Sequence, residues 1–237
     1  MQKIRVCARD SKLSQTQVVE IYKSLQNFYP EVVFDLSILK TKGDIDLKTS
    51  LTHMDKTDFF TKELDELILE KKVDIAIHSA KDLPDPLHPK LDIFALTLGV
   101  DPTDVLLLKE NQSILSLKKN ARIGTSSKRR EEMIKKLRED FVAQDIRGTI
   151  EERIRQLNQD QIEGLIIAKA ALIRLDLLHL NWVSLKGGFA QNQGRLAVVG
   201  LKENLMMKEL FHCLHLDQES YEKSSLFRDA AIQASQC

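Results

Sequence analysis

Short apolar runs of strand length alternate with segments of helical period along most of the chain, and this alternation limits the possible folds more than any other feature. IRVCAR (4–9) reads as a buried strand, and the helix after it places Val18, Ile21, Tyr22 and Leu25 on one face. FDLSILK (34–40) is a second strand, ending in the loop TKGD. DFFTKELDELILEKK reads as an amphipathic helix with Phe60, Leu64, Leu67 and Ile68 on its buried stripe. VDIAIHSA (73–80) and LDIFALTL (91–98) are further strands. A second set starts near DPTD (101–104), with DVLLLK, ARIGTSS, FVAQDI and GLIIAKA as strands and SKRREEMIKKLRED and TIEERIRQLNQD as helices between them. KGGFAQNQG (186–194) is the most turn-rich segment, and RLAVVGL after it is one more strand. The expectation is an α/β protein of two lobes with mostly parallel sheets. Residues 1–99 and about 190–214 form the first lobe, 100–189 the second, and 215–237 a short helical remainder.

Charge and hydropathy exclude several functions. Thirty-five Lys and Arg balance thirty-five Asp and Glu, so no basic excess is available to hold duplex nucleic acid. The longest stretch without a charged side chain is Leu177–Leu185, far short of the ~20 residues that span a bilayer, so no membrane segment is expected. MQKIRVCARDSK lacks the apolar core of a secretory signal, which places the chain in the cytoplasm. Three cysteines with no CxxC spacing fit neither a disulfide framework nor a zinc ribbon. Cys7 reads as a small buried hydrophobe and Cys237 as a terminal thiol. Cys213 between His212 and His215 is too weak a signal for a metal site, so no metal is expected.

In open α/β sheets, ligands bind beyond the carboxyl ends of the strands. Arg9 and Ser11 follow the first strand, and Lys81 and Asp82 follow VDIAIHSA. Thr125, Ser126, Ser127, Arg129 and Arg130 follow RIG, while Arg147 and Gly148 follow VAQDI, with Arg153 in the next helix. Cations and hydroxyls therefore gather at one edge of the sheets, as a ligand bearing several carboxylates or phosphates requires. The alternative is a set of solvated loop charges. Asp82, a carboxylate among cations, suits stabilisation of a developing cation or proton transfer; the alternative is a structural partner of Lys81 or a nearby arginine.

Taken together, IRVCARDSKLSQTQ, LKTKGD, FFTKELDELILEKKVDIAIHSAKDLP, RIGTSSKRREE, DIRGTIEERIRQL and LIIAKAALIRL resemble the hydroxymethylbilane synthase (porphobilinogen deaminase) family, in family order from residue 3 to about 200. The resemblance implies two lobes like those of periplasmic binding proteins, an active site in the cleft between them, and a third domain of which only a remnant is present here. It implies a monomer that deaminates porphobilinogen and condenses four units on a dipyrromethane cofactor held by a cysteine thioether, releasing hydroxymethylbilane for tetrapyrrole synthesis. By motif, the catalytic aspartate falls on Asp82. Arg9, Ser11, Lys81, Thr125, Ser126 and Ser127 fall on carboxylate-holding positions, as do Arg129, Arg130, Arg147, Gly148 and Arg153. Arg174 falls beside the growing chain, and Cys237 falls on the cofactor cysteine by ungapped spacing. Two departures stand out: THMDKTDFF puts His53 and Thr57 where the family has lysines, leaving Lys56 as the nearest cation, and QASQC replaces a GGC-like turn.

Three readings follow: a porphobilinogen-condensing enzyme, a family member that binds without turnover, and a two-lobe module for a small anion. Asp82 within HSAKDLP and a cysteine at the family distance favour the enzyme.

Overall fold

The computed structural model describes residues 3–46, 49 and 57–216. Cys237, the segment 51–56 with His53 and Lys56, and nearly all of the 215–237 remainder lie outside the described residues. In chain order, β1 (Lys3–Arg9), α1 (Lys12–Gln26), β2 (Val33–Leu39), α2 (Lys42–Ile45), α3 (Lys62–Leu69), β3 (Ile75–Ser79) and β4 (Leu91–Leu96) open the fold. β5 (Asp104–Leu107), β6 (Arg122–Gly124), α4 (Lys128–Leu137), β7 (Val142–Gln144), α5 (Ile150–Asn158), β8 (Gly164–Ala168), α6 (Lys169–Arg174) and β9 (Trp182–Ser184) build a second unit, and β10 (Leu196–Leu201) and α7 (Leu205–His212) complete the first.

The two five-stranded sheets have the same plan, β2-β1-β3-β10-β4 and β7-β6-β8-β5-β9. In each, one strand runs against the other four: β10 is antiparallel to β3 and β4, and β5 is antiparallel to β8 and β9. Each reversed strand is the first in sequence after a crossing between sheets. Ile4, Val6 and Ala8 of β1 pack with Val18, Ile21 and Leu25 of α1 and with Phe211 of α7 on one face. Cys7 packs with Leu64 and Ile68 of α3 on the other. The second sheet is covered by Ile134 of α4 on one side and by Leu157 of α5 and Leu172 of α6 on the other.

Helix starts follow local chemistry. Ser11 caps α1 by accepting from the Ser14 amide at 3.1 Å, and Thr149 with Glu152 forms a capping box at α5. The stretch beginning at Asp58 differs from its sequence pattern. Asp58–Phe60 is a separate 3₁₀ turn, and Phe60 leaves the apolar stripe of α3 to lie 4.4 Å beneath the Arg9 guanidinium.

The two crossings between sheets touch at glycines. A Cβ on Gly194, at φ +85°, would lie 2.5 Å from the Asp101 carbonyl oxygen, and one on Gly99, at φ +79°, would lie 2.9 Å from the Gly194 carbonyl carbon. Beside them Arg195, 1% exposed, donates to the backbone oxygens of Thr97 at 2.7 Å, Leu96 at 3.2 Å and Leu216 at 2.6 Å. Its charge ties both crossings to the last described residue.

Asp65 on α3 is buried and accepts from the Thr61 hydroxyl at 2.9 Å. Burial pushes its carboxyl up to about 6, and the charges of Asp58 and Glu66 add to this against the Thr61 hydrogen bond. The folded state therefore binds this proton more tightly than the unfolded chain does, and stability falls as pH rises from about 4 to about 6. Asp65→Asn is expected to flatten that interval in a pH series of thermal melts; an unchanged slope would remove this assignment. Gly194→Ala is expected to cost roughly 2 kcal/mol or more through its left-handed φ and the backbone overlap, and an unaltered urea midpoint would contradict the close-crossing account.

Candidate functional site

The loops at the carboxyl ends of both sets of strands face each other across a cleft of about 770 Å³. From the first unit, β1 delivers Arg9 and Ser11, and the turn after β3 delivers Lys81 and Asp82. From the second come Ser126, Ser127, Arg129 and Arg130 after β6, and Arg147, Gly148 and Arg153 after β7. Arg174 at the end of α6 reaches the same space.

Thr125 does not line this cleft. It is fully buried, and its hydroxyl oxygen accepts from the Ser127 amide at 3.3 Å, so it shapes the turn. Ser126 also has a local partner, the Ile146 carbonyl oxygen, although it lines the cleft. Gly148 is required by its backbone: φ is +103°, and a Cβ there would lie 2.5 Å from Glu152 Oε2.

The cations fall into two groups. Four arginines have acidic partners. Arg9 Nε donates to Asp44 at 3.2 Å, and the guanidinium with the Thr41 hydrogen bonds outweighs burial to hold the Asp44 carboxyl below the usual range. Arg129 and Arg130 share Asp104, at 2.5 and 2.7 Å. Burial opposes ionisation of Asp104, but the two arginines prevail and lower its pKa. Arg174 Nε pairs with Glu20 of α1 at 2.7 Å, linking the two units.

Lys81, Arg147 and Arg153 form no ion pair among the described residues. Arg147 reaches across the cleft to the carbonyl oxygens of Gly43, at 2.9 Å, and Thr49. Arg153 Nε donates to the Gly148 carbonyl oxygen at 2.9 Å. Desolvation pushes all three pKa values down, Arg153 to about 10 with help from Arg130 and Arg147, while Asp82 pulls Lys81 and Arg153 back up. A partly dehydrated site with uncompensated positive charge attracts anions, and a guanidinium bound only to carbonyl oxygens can exchange them for a carboxylate. Asp82 sits among these cations, exposed to the cleft. Among the described residues, no group of three or more His, Cys, Asp or Glu side chains is arranged to hold a metal, and His212 and His215 stack at 6.1 Å.

The sequence reading missed Asp104 and Glu20. Asp104 opens the apolar strand DVLLLK, and an acid at the head of a buried strand signals that it needs a partner. It also accepts from Gln193 Nε2 at 2.9 Å, so one carboxylate joins α4, β5 and the second crossing. Glu20 lies on a helix among ordinary polar residues, with no local signal of its distant arginine. Asp104→Ala strands two arginines, one of them buried, and is expected to cost about 3–5 kcal/mol in chemical denaturation; a loss under 1 kcal/mol would show that the fork carries little.

Sequence and structure comparisons agree with this geometry. The family described as "Porphobilinogen deaminase, dipyromethane cofactor binding domain" matches residues 4–209. A probable porphobilinogen deaminase of Chlamydia pneumoniae is 36% identical over 212 residues, 90% of each chain. The porphobilinogen deaminase of Caldicellulosiruptor saccharolyticus is 39% identical over 184 residues, 77% of this chain and 63% of that one. Among solved structures, the probable amino-acid ABC transporter extracellular-binding protein ytmK of Bacillus subtilis superposes with a TM-score of 0.53 at 16% identity, covering 95% of this chain and 97% of that one. The BvgS VFT2 domain of Bordetella pertussis gives 0.54 at 9% identity, covering 96% and 92%. These two likenesses establish the two-lobe binding-protein fold alone. With the family's match running through both lobes and across the cleft between them, the chain belongs to the porphobilinogen deaminase family.

Proposed function

We propose that the cleft performs the hydroxymethylbilane synthase reaction, the stepwise deamination and head-to-tail condensation of four porphobilinogen molecules, with Asp82 as the catalytic group. The supporting observation is Asp82 within the unpaired cations Lys81, Arg147 and Arg153. Porphobilinogen carries an acetate and a propionate, which these cations can bind. When ammonia leaves its aminomethyl carbon, positive charge develops on the pyrrole nitrogen. A carboxylate facing the cleft stabilises that charge. An anion-binding module would need the cations and the cleft, but it would have no use for a carboxylate at their centre.

The same residues fit dipyrromethane, whose two rings carry four carboxylates. Lys81, Arg147 and Arg153 are the unpaired donors, while Arg9, Arg129 and Arg130, already oriented by acids, present their remaining N–H groups. Ser11, Ser126 and Ser127 add hydroxyls. Bound there, the cofactor supplies the free pyrrole carbon at which condensation starts. Cys237 is the proposed attachment point. Leu216 is tied to Arg195 on the cleft wall, and 21 residues of chain, from 216 to 237, reach up to about 70 Å.

A monomer, as the family resemblance implies, is the proposed acting unit. The unpaired thiols of Cys7 and Cys213 favour the reducing cytosol. Among the described residues no helix is long and apolar enough to cross a membrane.

Asp82→Ala is expected to lower porphobilinogen consumption by at least about a hundredfold with an unchanged melting temperature; near-parental turnover would remove Asp82 from the mechanism. Arg147→Ala is expected to raise KM for porphobilinogen or release cofactor while altering stability by under about 1 kcal/mol. Parental KM together with full cofactor retention would count against a carboxylate clamp.

A further inference from the structure

Asp82 has no hydrogen-bond donor among the described residues to set its orientation, although the proposed reaction needs its carboxylate aimed at one nitrogen. Beside it, a side pocket of about 70 Å³ opens off the cleft, lined by Ser11, Gln17, Thr61, His78 and Asp82 among others. His78 on β3 is 5% exposed, and its Nε2 finds no partner among the described residues. Buried polar atoms in native proteins are almost always satisfied, by ordered water where the site is polar and has room. This pocket has hydroxyl and amide walls, and its volume admits a small cluster of waters. The charged residues that line this pocket with His78 are Arg9 on β1 and Asp82; Ala197 faces His78 from β10, and α1 contributes uncharged Ser14 and Gln17 to the pocket. Burial, followed by the Arg9 charge, pushes the imidazole down to about 4, so the ring is neutral at physiological pH.

We propose that His78 is a positioning residue for Asp82: its Nε2 fixes water in the side pocket, and that water orients the Asp82 carboxylate toward the cleft. The inference rests on the assignment of Asp82 as the catalytic carboxylate. It gives a role to a buried nitrogen that would otherwise only weaken the core, and it supplies the hydrogen bond that Asp82 lacks.

The test compares His78→Phe, similar in shape but without ring nitrogens, with His78→Gln, whose amide can hold the same water. In the full-length protein, His78→Phe is expected to lower kcat about tenfold or more with KM for porphobilinogen within twofold of parent. Its melting temperature is expected to stay close to parent, because an apolar ring of similar shape replaces the imidazole and its water is released with it. His78→Gln is expected to recover most of kcat. Parental kcat in His78→Phe overturns the proposal, as does a kcat loss that follows falling melting temperatures in both variants. Asp82→Ala, measured alongside, separates the two claims. Surviving turnover there sinks the Asp82 assignment and this inference with it. Lost turnover there, with an unaffected His78→Phe, sinks this inference alone.

Discussion

The close crossing at Gly99 and Gly194 is the constraint on which the remaining structure depends. Among the described residues the chain passes between its two sheets only there, and the backbones touch where the strand ends are brought to face one another. A side chain at either position would meet backbone, which cannot rotate away. Arg195, on the second crossing, then fills the junction and satisfies the carbonyl oxygens of Leu96 and Thr97 on the first with one buried guanidinium. Each crossing leads directly into an antiparallel strand, β5 or β10, and those strands set the sheet order that turns all the functional loops toward one cleft.

Within that cleft the charge is divided between two tasks. Asp44, Asp104 and Glu20 hold Arg9, Arg129, Arg130 and Arg174, fixing their directions and lowering the net charge. Lys81, Arg147 and Arg153 form no ion pair among the described residues, and burial makes their charge costly until an anion arrives. A growing chain of carboxylate-bearing rings needs both kinds of group: rigid donors that recognise, and free charge that attracts. The Arg174–Glu20 pair and the reach of Arg147 to Gly43 also hold the two units together across the cleft.

The alternation of strand and helix was legible because it depends on local periodicity, and the basic post-strand loops were legible because sheet topology places any such residues at one edge. VDIAIHSA and GLIIAKA each contain the strand that they suggested, and IRVCAR lies wholly within one. What failed depended on contacts distant in sequence. Asp104 meets its arginines 25 and 26 positions away, and Glu20 meets Arg174 across 154. Thr125 has a hydroxyl like its neighbours, and only the turn's packing shows that it faces inward. Phe60 matched a helical stripe but was drawn out of it by the Arg9 cation, a preference that periodicity does not register.

The central claim is that this cleft, together with Cys237, holds dipyrromethane and extends it with porphobilinogen. Intact mass before and after porphobilinogen is added, beside a Cys237→Ser variant, tests it most directly. The account predicts a covalent dipyrrole increment that the variant lacks, followed by a ladder of single pyrrole additions. A mass that carries no increment and never shifts with porphobilinogen would contradict it.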